Sequence, residues 1–277
     1  MSSLADSPLH ESVIFNLGSR RSGTYWLQRI VTAHPSVGSV PSETHLISHG
    51  IAPLLERFHQ GERDSTLVGS VYCERERLIR ALRHLCDEVF GQFLEHGQRR
   101  LAERTPLHVF HLGLISEIYP DARCVHIIRD GRDVARSIAA QDWGPNTVAD
   151  AAREWRDAVS AGRSAGLGPD RYLEVRYEAL LSDPESQIAG LYEWLGLPTS
   201  PADLSYPLAA SRRPENVDRF GVGGIAVGKW RSSFRRGDLA AFMDVAGDLL
   251  AELGYSSHNS VAQKRYGIGA LRKRIRS

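Results

Sequence analysis

Short apolar runs alternate along this chain with longer stretches in which apolar residues recur every three or four positions. The runs predict buried strands, and the longer periodic stretches predict amphipathic helices. The predicted strands cover residues 13–17, 37–40, 101–106, 123–128 and 172–175. The predicted helices cover residues 24–33, 45–58, 74–95, 108–118, 131–140, 148–165, 186–195 and 238–253, and residues 61–71 are predicted to form a loop on the substrate side.

Strands that alternate with helices predict an α/β fold with a central parallel β-sheet flanked by helices. No linker-like segment divides the 277 residues, so a single domain is expected over residues 13–255. Residues 1–12 are expected to form an N-terminal extension, and residues 256–277 a basic C-terminal tail. In a sheet of this kind, ligands bind beyond the carboxyl ends of the strands.

Composition narrows the class of protein. The formal net charge of +1 argues against nucleic acid as a partner. Three cysteines without metal-ligand spacing predict a reduced, cytoplasmic protein with no disulfide and no metal site. The first residues lack the pattern of a signal peptide, and no apolar run is long enough to span a membrane. A homodimer is left open.

The first predicted strand runs into a basic loop bounded by Gly18 and Gly23. Such a loop directs backbone N–H groups and the positive end of the following helix at one point, where Arg20 and Arg21 add charge. The sequence therefore predicts a phosphate-binding loop. It differs from the nucleotide triphosphatase P-loop because the lysine expected directly before Thr24 is absent.

A second anion site is predicted after the strand at 123–128. Arg129 follows the strand, and Ser137 lies eight positions later on the next predicted helix. A guanidinium makes bidentate, permanently charged contacts to phosphate, and a hydroxyl completes the coordination. Two phosphate-binding turns about a hundred residues apart in one α/β domain rarely coincide by chance.

These segments resemble those of the superfamily of sulfotransferases that use 3′-phosphoadenosine 5′-phosphosulfate (PAPS), and the chain is identified as a member of its bacterial and Golgi-like branch. Residues 20–24 are similar to the Pro-Lys-Ser-Gly-Thr loop that binds the 5′-phosphate of PAPS. Residues 177–180 resemble the family's Tyr-Glu-x-Leu segment, and residues 228–231 its late Gly-x-Trp-[Lys/Arg] element. The resemblance covers residues 13–252.

The resemblance implies that PAPS is the co-substrate, that 3′-phosphoadenosine 5′-phosphate (PAP) is the product, and that no metal takes part. It places Arg129 and Ser137 on the 3′-phosphate and Trp26 near the adenine, although a core position for Trp26 is equally expected. The full set of implied donor-binding residues is Arg20, Arg21, Ser22, Gly23, Thr24, Tyr25, Trp26, Arg129, Ser137, Tyr177, Lys229, Trp230 and Arg231. Lys229 is the candidate to replace the Arg-Lys-Gly signature of the animal cytosolic enzymes, because those positions read Gly223-Gly224-Ile225 here.

The resemblance also implies an in-line transfer of a sulfuryl group to a hydroxyl or amine of a small-molecule acceptor. Arg21 stands where many relatives have a catalytic lysine, and it would stabilise the leaving phosphate without giving up a proton. Arg104 would stabilise the transferred group. Two residues are candidates for the base that takes the acceptor proton. Glu43 resembles the glutamate base of tyrosylprotein sulfotransferases, and His108 resembles the histidine base of cytosolic relatives. Glu43 is the preferred candidate.

Two other functions are consistent with parts of the sequence. A small-molecule or nucleoside kinase shares the strand-loop-helix beginning, but it needs the missing lysine and carboxylates for magnesium. A non-catalytic nucleotide-binding protein is suggested by Arg21 in place of lysine. Loops at about residues 44–75 and 205–227 are expected to shape the acceptor pocket.

Overall fold

The computed structural model describes residues 9, 13–63, 73–200, 203–205, 207–208 and 227–255. For residues 59–63 it describes the backbone only. Within these ranges, five strands form one parallel sheet in the order β2-β3-β1-β4-β5. The strands are β1 (Val13–Leu17), β2 (Val37–Ser39), β3 (Arg100–Glu103), β4 (Arg123–Ile128) and β5 (Tyr172–Arg176). The predicted α/β class with a central parallel sheet is confirmed.

Helices lie between and after the strands. The described α-helices are α1 (Thr24–Val31), α2 (Ala52–Arg63), α3 (Arg75–Gly91), α4 (Leu112–Ile118), α5 (Gly131–Ala139), α6 (Val148–Ser164), α7 (Tyr177–Ser182), α8 (Pro184–Leu195), α9 (Trp230–Ser233) and α10 (Arg236–Glu252). A π-helical turn (Leu46–Ile51) precedes α2, and a 3-10 turn (Pro106–His111) precedes α4. In this part of the chain, no helix is long and apolar enough to cross a membrane.

The structure differs from the sequence-based expectation at several points. Strand β3 ends at Glu103 rather than at 106, and helix α3 ends at Gly91 rather than at 95. Helix α2 continues to Arg63, past the start of the loop expected at 61. The segment predicted as helix from 108 begins with a 3-10 turn led by Pro106. Helix α7 was not predicted; it is separated from α8 by Asp183, whose side chain accepts a hydrogen bond from the Ser186 amide and so caps α8.

The central strand β1 is buried on both faces, because helices cover both sides of the sheet. Phe15 packs in one apolar cluster and Ile14 in a second. Leu9 also packs in the first of these clusters, upstream of β1. The buried amide of Asn16 donates to the Gln28 side chain at 2.7 Å, which satisfies that amide donor and ties β1 to α1.

The sheet register brings the predicted phosphate-binding turns together. Leu17, at the end of β1, pairs with His126 on β4, so the loops that follow both strands leave from one edge. Behind them, the buried carboxylate of Glu178 accepts from the Asp130 amide and from the Tyr255 hydroxyl, both at 2.9 Å. The turn after β4 is thereby tied to the end of the described chain. Residues 1–8, most of the predicted acceptor loops and the basic tail lie outside the described residues.

Candidate active site

The loop between β1 and α1 is shaped by glycines at its two ends. Gly23 has a φ of +105°, and a Cβ there would lie 2.7 Å from the Tyr177 ring. A Cβ on Gly18 would lie 2.6 Å from the carbonyl oxygen of Ile127. Ser22 closes the loop by donating its hydroxyl to the Ser19 carbonyl at 2.6 Å. Any other residue at Gly23 would therefore strain the loop.

Helix α1 begins directly after this loop. Its N-cap is Gly23, which offers no side-chain acceptor to the first turn. The amide N–H groups of the first turn of a helix have no partner within the helix, and the helix dipole makes this end positive. The loop and the start of α1, with buried Thr24 in its first turn, are therefore suited to a phosphate.

Arg21 joins the two predicted phosphate-binding turns. Its Nε donates to the Ser137 hydroxyl on α5 at 3.0 Å. Arg129 in turn donates to the Arg21 carbonyl at 3.4 Å and lies over the Tyr177 ring, 4.4 Å from its centroid. The structure thus places Arg21, Arg129, Ser137 and Tyr177, all predicted from the sequence, in one cluster.

The electrostatics of this cluster suit an anion. Burial lowers the pKa of the Arg21 guanidinium, and the positive charge of Arg129 lowers it further. Two like charges held together repel each other, and a phosphate between them would convert repulsion into charge-assisted hydrogen bonds. Arg21 also adopts a left-handed backbone conformation, with a φ of +66°. Strain of this kind in a residue other than glycine is concentrated at functional sites.

Arg20, predicted beside Arg21 on the donor, faces elsewhere. Its guanidinium makes two hydrogen bonds to the Glu154 carboxylate on α6, at 2.7 and 2.5 Å, and these raise its pKa. It also lies over the half-exposed indole of Trp143, 4.5 Å from the ring centroid. Glu154 and Trp143 were not predicted, because their distance in sequence from the loop gives no signal of this contact.

The carboxylate of Glu43 lies at the same edge of the sheet, after β2. Its Oε1 accepts from Arg104 Nη1 at 2.5 Å, and its Oε2 is 3.4 Å from His45 Nε2. The side chain of Glu43 is 34% exposed, whereas that of Arg104 is 10% exposed. Arg104 also lies over the Tyr25 ring at 5.4 Å. Two predicted catalytic side chains, Glu43 and Arg104, thus form one ion pair open to solvent on the glutamate side.

His108, the other predicted base, is fully buried. Its Nδ1 is 3.0 Å from the carboxylate of Glu103, and both side chains have no exposed surface. The imidazole packs edge-on against Phe15 in the core. A proton acceptor must reach the acceptor hydroxyl directly or through one water. The burial of His108 therefore favours Glu43 as the base.

Trp26 lies in the core beneath the loop. It is 8% exposed and meets the Tyr177 ring edge-on, with centroids 5.1 Å apart. This position matches the core interpretation of Trp26. Its contact with the adenine stays a prediction.

The late segment that contains Lys229 is attached to α5 by an unpredicted residue. Asp133 accepts from the amides of Gly228 and Trp230 at 2.7 and 2.9 Å. The Trp230 indole is buried against the Arg132 guanidinium, 4.1 Å from its ring centroid, and Arg231 lies over the same indole at 5.1 Å. Trp230 therefore anchors this segment, and Lys229 is carried beside α5; residues 223–225 lie outside the described chain.

The chain is similar in sequence and in fold to known proteins. Residues 13–201 match the Sulfotransferase family. The sequence is 24% identical over 265 residues to a protein-tyrosine sulfotransferase of Drosophila melanogaster, an alignment that covers 89% of this chain and 52% of that protein. This chain thus spans about half the length of that relative.

Two solved structures share the fold. The sulfotransferase domain of the Synechococcus PCC 7002 olefin synthase has a TM-score of 0.56 at 21% identity, covering 88% of this chain and 95% of that domain. Mouse sulfotransferase SULT7A1, complexed with PAP, has a TM-score of 0.53 at 13% identity, covering 90% and 93%.

The family match covers more than half of the chain, and the chain therefore belongs to the Sulfotransferase family. Membership of this family, together with the missing lysine before Thr24, argues against the kinase alternative.

Proposed function

We propose that this protein transfers a sulfuryl group from PAPS to the hydroxyl of an acceptor by in-line displacement. The observation that carries the proposal is the hydrogen bond from Arg21 to Ser137, which joins the loop after β1 to the helix after β4. One nucleotide with phosphates at its 5′ and 3′ positions fits a site with two such cationic turns.

The donor-binding residues fall into two groups. The backbone of Ser22, Gly23 and Thr24 at the start of α1 would hold the 5′-phosphate. Arg129 and Ser137 would hold the 3′-phosphate, and Arg21 lies between the groups. When bound, PAPS supplies the sulfuryl group and a phosphate leaving group, which needs positive charge more than it needs a proton. A guanidinium at Arg21 provides that charge throughout the reaction.

On the acceptor side, Glu43 would take the proton from the attacking hydroxyl. Its carboxylate is accessible, and the Arg104 ion pair fixes one of its oxygens. Arg104 would at the same time stabilise negative charge on the transferred group, because a fixed cation beside developing charge lowers the barrier. Most of the rate enhancement then comes from positioning and electrostatics, as in phosphoryl transfer.

The acceptor is proposed to be a small molecule with a hydroxyl or an amine group. A peptide tyrosine is the second candidate, favoured by the similarity to a protein-tyrosine sulfotransferase. We place the enzyme in the cytoplasm, because three cysteines without disulfide spacing suit a reducing compartment. Burial raises the pKa of the Cys86 and Cys124 thiols to about 12, so these two are unreactive.

The experiment that tests the proposal is transfer of sulfate from isotopically labelled PAPS into a metabolite extract and a set of tyrosine peptides, read by mass spectrometry. A labelled product that disappears with Glu43→Gln is expected. Phosphorylated products from ATP and magnesium, with none from PAPS, would favour a kinase. Tight PAP binding without any product across the acceptors would favour a non-catalytic nucleotide-binding protein.

A further inference from the structure

We infer that Glu103 is a positioning residue, which holds the segment of the catalytic base Glu43 through Thr44 and Thr105. The inference rests on the proposed function, because it assigns Glu103 a role in the reaction of Glu43. Neither the sequence motifs nor the similarity to known sulfotransferases assigned a role to Glu103.

The carboxylate of Glu103 is fully buried and binds the residue next to Glu43. Its Oε1 accepts from the Thr44 hydroxyl at 2.9 Å and from the Thr44 amide at 3.5 Å. Thr44 in turn accepts from the Leu46 amide at 3.2 Å. A charged acceptor in a buried site makes stronger hydrogen bonds than a neutral one. The turn that presents Glu43 is therefore attached to the end of β3 by a charge-assisted contact.

Thr105 connects Glu103 to the backbone of the same turn. Its hydroxyl donates to Glu103 at 2.5 Å and accepts from the amides of Thr44 and His45 at 3.1 and 3.3 Å. His45 has a φ of +51°, a left-handed conformation that costs energy in a residue other than glycine. The hydrogen bonds of Thr105 compensate for this strain. They hold the turn in a conformation in which Glu43 contacts Arg104.

His108 adds a further partner to the buried carboxylate of Glu103. Burial raises the pKa of Glu103, but the charge and hydrogen bond of His108 and the hydroxyls of Thr105 and Thr44 outweigh burial, so that the pKa is lowered. Glu103 is thus a buried carboxylate whose Oε2 lies 3.0 Å from His108 Nδ1. This contact explains a histidine at position 108 without a direct contact to the acceptor.

Residues 103–105 therefore hold the base from two sides. Glu103 and Thr105 fix the backbone at residues 44–45, while Arg104 between them fixes the side chain of Glu43. Misplacement of a catalytic group by about 1 Å lowers rates by about 10²-fold. Loss of the buried contacts is expected to reduce turnover through Glu43, without loss of the donor site.

The first test compares Thr44→Val, which removes the hydroxyl, with Thr44→Ser, which keeps it. Thr44→Val should lower kcat by about tenfold or more with PAP affinity unchanged, and Thr44→Ser should retain most of the turnover. Glu103→Gln should act like Thr44→Val. Thr32→Val, at the end of α1, is a matched control that should leave kcat unchanged.

A double-mutant cycle separates positioning from general damage. In the Glu43→Gln background, neither Thr44→Val nor Glu103→Gln should lower the residual turnover further, because the group they position is already disabled. A further tenfold loss in that background, or a loss of PAP affinity, would overturn the inference.

Hydrogen exchange tests the same inference independently of activity. The amides of Thr44 and His45 should exchange at least tenfold faster in Thr105→Val than in the wild type, while amides of the β4 strand should not change. Unchanged exchange rates at Thr44 and His45 would refute the proposed role of the Thr105 hydrogen bonds in holding this turn. Absence of sulfate transfer by the wild type would refute the proposed function alone and leave this structural result standing.

Discussion

Replacing Arg129 by alanine is the perturbation that tests the donor site in most detail. Arg129 lies over the Tyr177 ring at 4.4 Å and donates to the Arg21 carbonyl at 3.4 Å. Burial lowers the pKa of Arg21, and the charge of Arg129 lowers it further, because like charges held close together repel each other. The substitution thus removes one proposed phosphate ligand and one source of repulsion together.

The expected magnitude follows from these contacts. A hydrogen bond to a charged group contributes about 1.5–3 kcal/mol, so PAP binding should weaken by about 2 kcal/mol or more, which is roughly 30-fold. In the protein without nucleotide, loss of the contact with Tyr177 costs about 0.5–1 kcal/mol, and relief of the repulsion offsets it. The melting temperature without ligand should therefore change little, while the stabilisation by PAP is largely lost.

The assay is calorimetric titration with PAP at fixed ionic strength, accompanied by thermal unfolding. Arg129→Lys, which keeps the charge but loses the planar fork, should lie between the wild type and Arg129→Ala. Arg20→Ala should weaken PAP binding less than Arg129→Ala does, because the Arg20 guanidinium is hydrogen-bonded to the Glu154 carboxylate. Unchanged PAP affinity in Arg129→Ala would refute the assignment, as would an equal loss in Arg20→Ala.

Three further predictions concern catalysis, the loop and pH. Glu43→Gln should retain PAP binding and lose most turnover, whereas His108→Asn should be milder; steady-state kinetics with the reverse ranking would make the histidine the base. Gly23→Ala should destabilise the fold by more than about 1 kcal/mol and abolish PAP binding, because its φ is +105° and a Cβ would meet a tyrosine ring of α7. Gly113 lies in α4, where an added Cβ would have no atom from outside the helix within 4 Å, so Gly113→Ala should stabilise the fold by about 0.5–1 kcal/mol. Equal free energies of unfolding for Gly23→Ala and Gly113→Ala would contradict this prediction. Burial lowers the pKa of His126 to about 3. As the pH falls below about 6.5, the imidazole takes up a proton in the unfolded chain but not in the folded protein. The free energy of unfolding therefore decreases from about pH 6.5 down to about pH 3. Chemical denaturation at about pH 4.5 should show that this effect reduces the free energy of unfolding by roughly 2–3 kcal/mol. His126→Gln should remove the effect, and identical pH profiles of the wild type and this variant would refute the prediction.

The sheet, and the clustering of the residues proposed to bind the donor, followed from local sequence signals. Apolar runs gave the five strands, since strands covered by helices on both faces are nearly continuous in hydrophobicity. The turns at Gly23 and Arg129 carried the residues that phosphate binding needs, and the parallel order of the strands placed them at one edge. A candidate phosphate site that consists of a loop and its adjoining helix can therefore be predicted before the fold is known.

Contacts between distant segments were not readable. Glu154 binds Arg20, and Asp133 holds the segment of Trp230. No local pattern distinguishes Glu103 at the end of β3, yet it is fully buried and accepts a hydrogen bond from the Thr44 hydroxyl, 59 positions earlier in the chain. Charged residues are rarely buried without partners, and partners that come from another strand leave no local pattern. The positioning role proposed for Glu103 therefore could not be predicted from the sequence alone.

A crystal structure with bound PAP would test the central claim most directly. We predict the 5′-phosphate at the start of α1, within hydrogen-bond distance of the amides of residues 22–24, and the 3′-phosphate on Arg129 and Ser137, with Arg21 between the two. A nucleotide that left either turn without a phosphate, or that lay on another face of the sheet, would contradict the account.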